Sequence, residues 1–137
     1  MLTPEDIEKF INNAPKCEVR QSGIDGYGLF AKELILEAEE IIDFSFPNFY
    51  QEVRYADQTD EFLREGKFIG ITEEICLTAE GSTKFAAVNH SRNPNAVVDL
   101  EKRQVFALID IQPNEEITID VRLEPMSERA KQFSPWL

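Results

Sequence analysis

The 137-residue chain predicts a mainly β fold in a single domain. Three observations carry this. Short apolar segments recur along the chain, turn residues separate them, and no long amphipathic helices alternate with them as a βαβ layout requires. Hydrophobic residues make up 42%, too many for a disordered chain and enough for one packed core.

The elements follow in order. Thr3 to about Asn13 reads as a helix, with Thr3 as cap, Pro4 in the first turn, and Ile7, Phe10 and Ile11 on one face. An extended stretch starts at Val19-Arg20 and stops at the turn signals Gly23 and Asp25-Gly26. Gly28 to Ala31 and Glu40 to Phe44 read as strands, the second ending before Pro47. Residues 51–66 are polar, with little periodicity beyond Phe62-Leu63, and read as an inserted, partly helical segment. Lys67 to Thr72 and Ile75 to Thr78 are expected as short strands. Phe85 to Val88 is an apolar, strand-like run leading into Asn89. Ala96 to Val98, Gln104 to Ile111 and Glu116 to Val121 complete the strands, with a turn at Gln112-Pro113-Asn114-Glu115 between the last two.

Composition narrows the function classes. The formal net charge of -12 repels phosphates and anionic lipid, so no nucleic acid and no membrane is expected as a partner. A basic protein or peptide fits that charge; solubility alone is the competing explanation. No apolar run approaches the ~20 residues of a membrane span. The first residues have no basic stretch followed by an apolar one, so the expected location is cytoplasmic, or nuclear in a eukaryote. Cys17 and Cys76 are far apart, and His90 is the single histidine. One copy cannot supply four Cys/His zinc ligands, so no metal is expected and the cysteines read as buried thiols. The sequence carries no signal for oligomeric state.

Two segments carry the chemistry. Asn89-His90-Ser91-Arg92-Asn93-Pro94-Asn95 follows an apolar run and ends regular structure at its proline. Taken alone, His90 has two readings, a structural hydrogen-bonder or a ligand, and the first is the commoner role of a lone histidine. Ser91 beside His90 does not make a hydrolase, since adjacent side chains rarely face each other and no G-x-S-x-G elbow is present. Gly26-Tyr27-Gly28 allows a ligand close to the backbone or simply makes a tight turn. It lacks the third glycine of a dinucleotide site.

Taken in order, the segments are more specific. Gly26-Tyr27-Gly28-Leu29-Phe30-Ala31 precedes Ile35-Leu36-Glu37-Ala38-Glu39-Glu40-Ile41-Ile42. Asn89-His90-Ser91-x-x-Pro94-Asn95, Ala107-Leu108-Ile109-Asp110-Ile111 and Asn114-Glu115-Glu116-Ile117-Thr118-Ile119-Asp120 then follow. This series, over roughly residues 17–123, resembles the SET domain family of S-adenosylmethionine-dependent protein-lysine methyltransferases. The resemblance implies a SET-domain-like β-clip, made of small curved sheets with a knot-like crossing and few short helices. It implies that Asn89 to Asn95 passes beside Glu115 to Val121. It divides the single domain 1–137 into an N-terminal helix (1–16), a core (17–46 and 67–123), an insert (47–66) and a tail (124–137).

The resemblance also implies a site. S-adenosyl-L-methionine is the expected cofactor, with Gly26, Tyr27 and Gly28 lining its methionine end and Asn89 and His90 bonding to it. Trp136 or Phe133 of the tail is a candidate to close the pocket; anchoring the chain end is the other reading of Trp136. A substrate lysine enters opposite. The enzyme must align sulfur, methyl and nitrogen and favour the neutral amine, which a dry channel does by disfavouring charge.

The catalytic half departs from the family. The usual active-site tyrosine falls on Val121, and two further tyrosine positions fall on Phe44 and Val98, none with a hydroxyl. Tyr50 and Tyr55, in the insert, are candidate substitutes, or half-exposed packing residues. Arg92 stands where many members carry a zinc-binding cysteine, and their C-terminal cysteine cluster is absent. Two functions are therefore carried forward. One is a protein-lysine N-methyltransferase acting on a basic protein. The other is a catalytically lapsed module that binds cofactor or a protein partner without methyl transfer.

Overall fold

A computed structural model describes residues 12–24, 26–43, 50–66, 68–79 and 83–133. The expected N-terminal helix, Phe44 and Trp136 lie outside the described residues. The chain divides into two compact units, one from Met1–Pro47 with Gly81–Asp120 and one from Asn48–Glu80 with Val121–Leu137.

The first unit holds two small sheets. Strand β1 (Cys17–Gln21) pairs antiparallel with β2 (Tyr27–Ala31), from Cys17↔Ala31 to Gln21↔Tyr27. The turn between them closes with the Ser22 N–H on the Gly26 carbonyl at 2.8 Å, and Gly26 has φ 45°. That left-handed backbone is why glycine stands there. β2 also pairs antiparallel with the strand Glu116–Ile119, which runs parallel to the two-residue strand Asn89–His90.

The second sheet joins Glu40–Asp43, Gln104–Ala107 and Ala96–Asp99, in that antiparallel order, with an irregularity between Glu40 and Ile42. An isolated bridge between Ile35 and Ile111 ties the connections that precede and follow it. Leu29, Ile35, Ile42, Val105, Ile111 and Ile117 are fully buried and form the apolar centre of this unit.

The second unit is one sheet with short helices. Tyr50–Arg54 pairs antiparallel with Ile75–Ala79, which also pairs with Ile69–Gly70. The helix Asp60–Glu65 is capped by Thr59, whose hydroxyl accepts the Phe62 N–H at 3.1 Å, and ends on Gly66 at φ 68°. A second helix, Glu128–Lys131, is capped by Ser127. Tyr55, Leu63, Cys76, Met126 and Ala130 form the core, with Val53, Phe62, Phe68 and Phe133 packed against it.

The small sheets and short helices are the expected architecture, but several elements differ. Tyr50–Arg54 is a strand inside the segment read as aperiodic; its residues are mostly exposed, so no alternation reports it. Phe85 to Val88 is not a strand: Lys84–Ala87 is a 3-10 turn capped by Thr83. A short apolar run suits a buried turn as well as a strand. The strand expected over Gln104 to Ile111 ends at Ala107, and the one over Glu116 to Val121 ends at Ile119. Val121 instead opens a 3-10 turn, Val121–Leu123.

Candidate functional site

The two motif segments do run side by side. Asn89 pairs with Thr118 and His90 with Ile119, in parallel, and the Ser91 N–H reaches the Ile119 carbonyl at 2.9 Å. Asn95 extends the contact after Pro94 has ended the strand. Its Nδ2 donates to the Glu116 carbonyl at 2.7 Å, and its Oδ1 accepts the Thr118 N–H at 2.9 Å. One side chain thus satisfies two backbone groups that a neighbouring strand would otherwise meet. This explains an asparagine at 95, where a two-sided amide is needed.

The turn of Gly26-Tyr27-Gly28 meets this crossing through Asn89. Its Nδ2 donates to the Tyr27 carbonyl (3.1 Å), the Glu116 carboxylate (2.7 Å) and Ser22 Oγ (3.2 Å). Ser22 Oγ in turn donates to Glu116 Oε1 at 2.6 Å. The Glu116 side chain occupies the space beside Gly28: a Cβ there would meet the carboxylate, with Glu116 Cδ at 2.7 Å and Ser22 Cβ at 3.1 Å. Gly28 therefore has a reason within the chain itself, as Gly26 has in its dihedral angle. Beside Gly26 the space is open, and a Cβ placed there would meet nothing within 4 Å.

His90 sits next to a second acid. Its Nδ1 is 3.8 Å from Asp120 Oδ1, with side-chain exposures of 16% and 8%. The contact becomes an ion pair when the imidazole is protonated. This pair lies beyond the end of the strand opposite Glu116. Glu116 is held by two neutral donors and forms no ion pair with a described residue. A cationic ligand is compatible with an acid that no described cation pairs, and Gly26 stands exposed on the turn.

Val98 and Val121 bring no hydroxyl, and Tyr50 and Tyr55 belong to the second unit. Val98 is half-buried in its strand opposite Val105. Val121 is half-buried at the start of its turn. Tyr50 is half-buried in its strand opposite Ala79. Tyr55 is 2% exposed, and its hydroxyl donates to the Pro125 carbonyl at 3.1 Å. Burial holds its phenol far above the ordinary range. Its contacts are those of a core residue in the second unit.

Cys17 and Cys76 are both buried free thiols, one in each unit, and burial pushes each up to about 11. That makes them inert neutral thiols near pH 7. Among the described residues no group of three His, Cys, Asp or Glu could hold a metal ion. The sequence alone does not single out Ser22 and Glu116 as site residues. The only signal for them is indirect: a polar residue before the glycine turn, and an acid in the final motif strand.

Comparison with known proteins follows the same segments. The family model of the SET domain matches residues 26–120. None of the curated proteins matches the sequence. Among solved structures, a Plasmodium falciparum protein assigned as a histone methyltransferase is similar in fold, with TM-score 0.57 and 22% identity over 77% of this chain and 91% of that one. KRYPTONITE, solved with mCHH DNA, an H3(1-15) peptide and SAH, gives TM-score 0.56 and 25% identity over 77% of this chain. A humanized mutant of the Chaetomium thermophilum Polycomb Repressive Complex 2, bound to the inhibitor GSK126, gives TM-score 0.59 and 24% identity over 74%. The matches span only 23% and 14% of these last two chains.

Proposed function

This chain belongs to the SET domain family, and on that premise we propose that it is a protein methyltransferase, taking S-adenosyl-L-methionine as donor and a lysine of a basic protein as acceptor. The observation that supports this best is the Asn89 junction, where the amide joins the Tyr27 carbonyl, Ser22 and the Glu116 carboxylate at the crossing. It brings the three motifs of the family into one hydrogen-bonded corner. The KRYPTONITE complex, which holds a peptide and SAH, supports a polypeptide acceptor and this class of donor. That complex also holds DNA; the net charge of -12 is the ground for naming a basic polypeptide here.

When bound, the cofactor supplies an electrophilic methyl group. The chain's own residues then have three tasks. The Asn89 corner holds the Gly26 to Gly28 turn against the crossing, and that turn's backbone would line the cofactor. Glu116 and Asp120 supply negative charge to a cation. The acceptor amine must be desolvated, which favours its neutral, nucleophilic form. With Val98 and Val121 lacking hydroxyls, rate enhancement rests mainly on alignment.

A second reading has its own support. The same two valines, and a Tyr55 hydroxyl committed to Pro125, favour a module that binds without transferring methyl groups. Titration calorimetry with S-adenosylmethionine and labelled methyl transfer to a set of basic proteins separate the two. Binding with transfer supports the enzyme; binding without transfer supports the module; no binding overturns the cofactor assignment. A preorganised polar group is worth on the order of 100-fold in rate, so Val121→Tyr is expected to raise a weak wild-type activity by about that factor.

A further inference from the structure

Glu116 carries more than its place in the last motif strand requires. Its backbone pairs with Phe30 in the sheet, while its side chain turns to the hairpin and Asn89. The carboxylate accepts from Ser22 Oγ and Asn89 Nδ2 through its two different oxygens. Ser22 Oγ also accepts the Ile24 N–H at 3.0 Å, which shapes the turn itself. The carboxylate fills the space that any side chain at position 28 would need. Three segments distant in sequence therefore share one acid.

We infer that Glu116 is the positioning residue of this site, a clasp that sets the Ser22 to Gly28 turn against Asn89 and so builds the face proposed for the cofactor. The ligand part rests on the proposed methyltransferase reading; the clasp rests on geometry alone. Two neutral donors, each with a further partner, converge on the acid, so removing it frees both at once. Glutamine of the same length can still accept from Asn89, but Ser22 Oγ already accepts from Ile24 and Asn89, so glutamine keeps only part of the clasp. Glycine at 28 and glutamate at 116 are a matched pair, because one leaves the space that the other fills.

The test is a double-mutant cycle on the full chain, with Glu116→Ala, Gly28→Ala and the pair, read by thermal unfolding and by calorimetry with S-adenosylhomocysteine. Gly28→Ala alone is expected to lower the melting temperature by about 5 °C or more, and by clearly less in the Glu116→Ala background. Glu116→Ala is expected to weaken S-adenosylhomocysteine binding about tenfold or more, and Glu116→Gln, which keeps the length but not the charge, to recover only part of that loss. Additive effects on the melting temperature, or wild-type binding by Glu116→Ala, overturn the clasp. If the wild type binds no S-adenosylhomocysteine, coupled melting temperatures still support the clasp and the failure falls on the methyltransferase reading.

Discussion

At the residue scale, the side chains that organise the site mostly answer backbone groups. Asn95 satisfies the Glu116 carbonyl and the Thr118 N–H where no strand continues. Asn95→Ala leaves both groups without that partner, and should cost about 2 kcal/mol, read as a lower urea midpoint. Asn95→Asp should cost more, because it sets a carboxylate oxygen against the Glu116 carbonyl. In the second unit, burial pushes the Glu124 carboxyl up to about 7, although the Gly70 N–H bonded to it works the other way. An acid raised on folding binds its proton more tightly in the folded state. Its stabilising contribution is complete below the ordinary value of 4.5 and is lost as the pH rises through about 7. The melting temperature of the wild type should therefore fall by several degrees between these limits relative to Glu124→Gln, a comparison that differential scanning fluorimetry across pH can check. A constant gap between the two proteins would rule this out.

At the element scale, caps do much to define helices too short to persist alone. Asp60–Glu65 begins on the Thr59 hydroxyl and ends on a left-handed Gly66. Thr59→Ala should cost about 1 kcal/mol, and Gly66→Ala about the same, each measured by denaturant unfolding. Both signals are legible in the sequence: a threonine before two acids, and a glycine after them. The strand Tyr50–Arg54 is not legible. Its side chains are mostly exposed, and it is held by backbone pairing with Ile75–Ala79, which leaves no mark on residue choice. The converse holds at Lys84–Ala87, where the half-buried Phe85 and the buried Ala87 lie in a 3-10 turn rather than a strand. Apolar runs report burial, and burial is not specific to strands.

At the scale of the whole molecule, the net charge makes the proposed basic partner testable by salt. With a net charge of -12, binding to a basic peptide should weaken several-fold as salt rises from about 50 to about 200 mM, measured by fluorescence anisotropy. A salt-independent affinity would mean that apolar contacts dominate. The family and the mainly β class can be read from the sequence because motif order and turn residues are local properties that survive without coordinates. The pairing of Asn89 to Asn95 with Glu116 to Ile119 is accessible there only through the family resemblance. The roles of Ser22 and Glu116, the locked hydroxyl of Tyr55 and the turn at Val121 come from the tertiary structure alone. Sequence patterns record which residues are apolar and where the chain turns. Which distant donor an acid meets depends on the path of the whole chain, and Glu116 reaches its partners only after the hairpin and the crossing have formed around it.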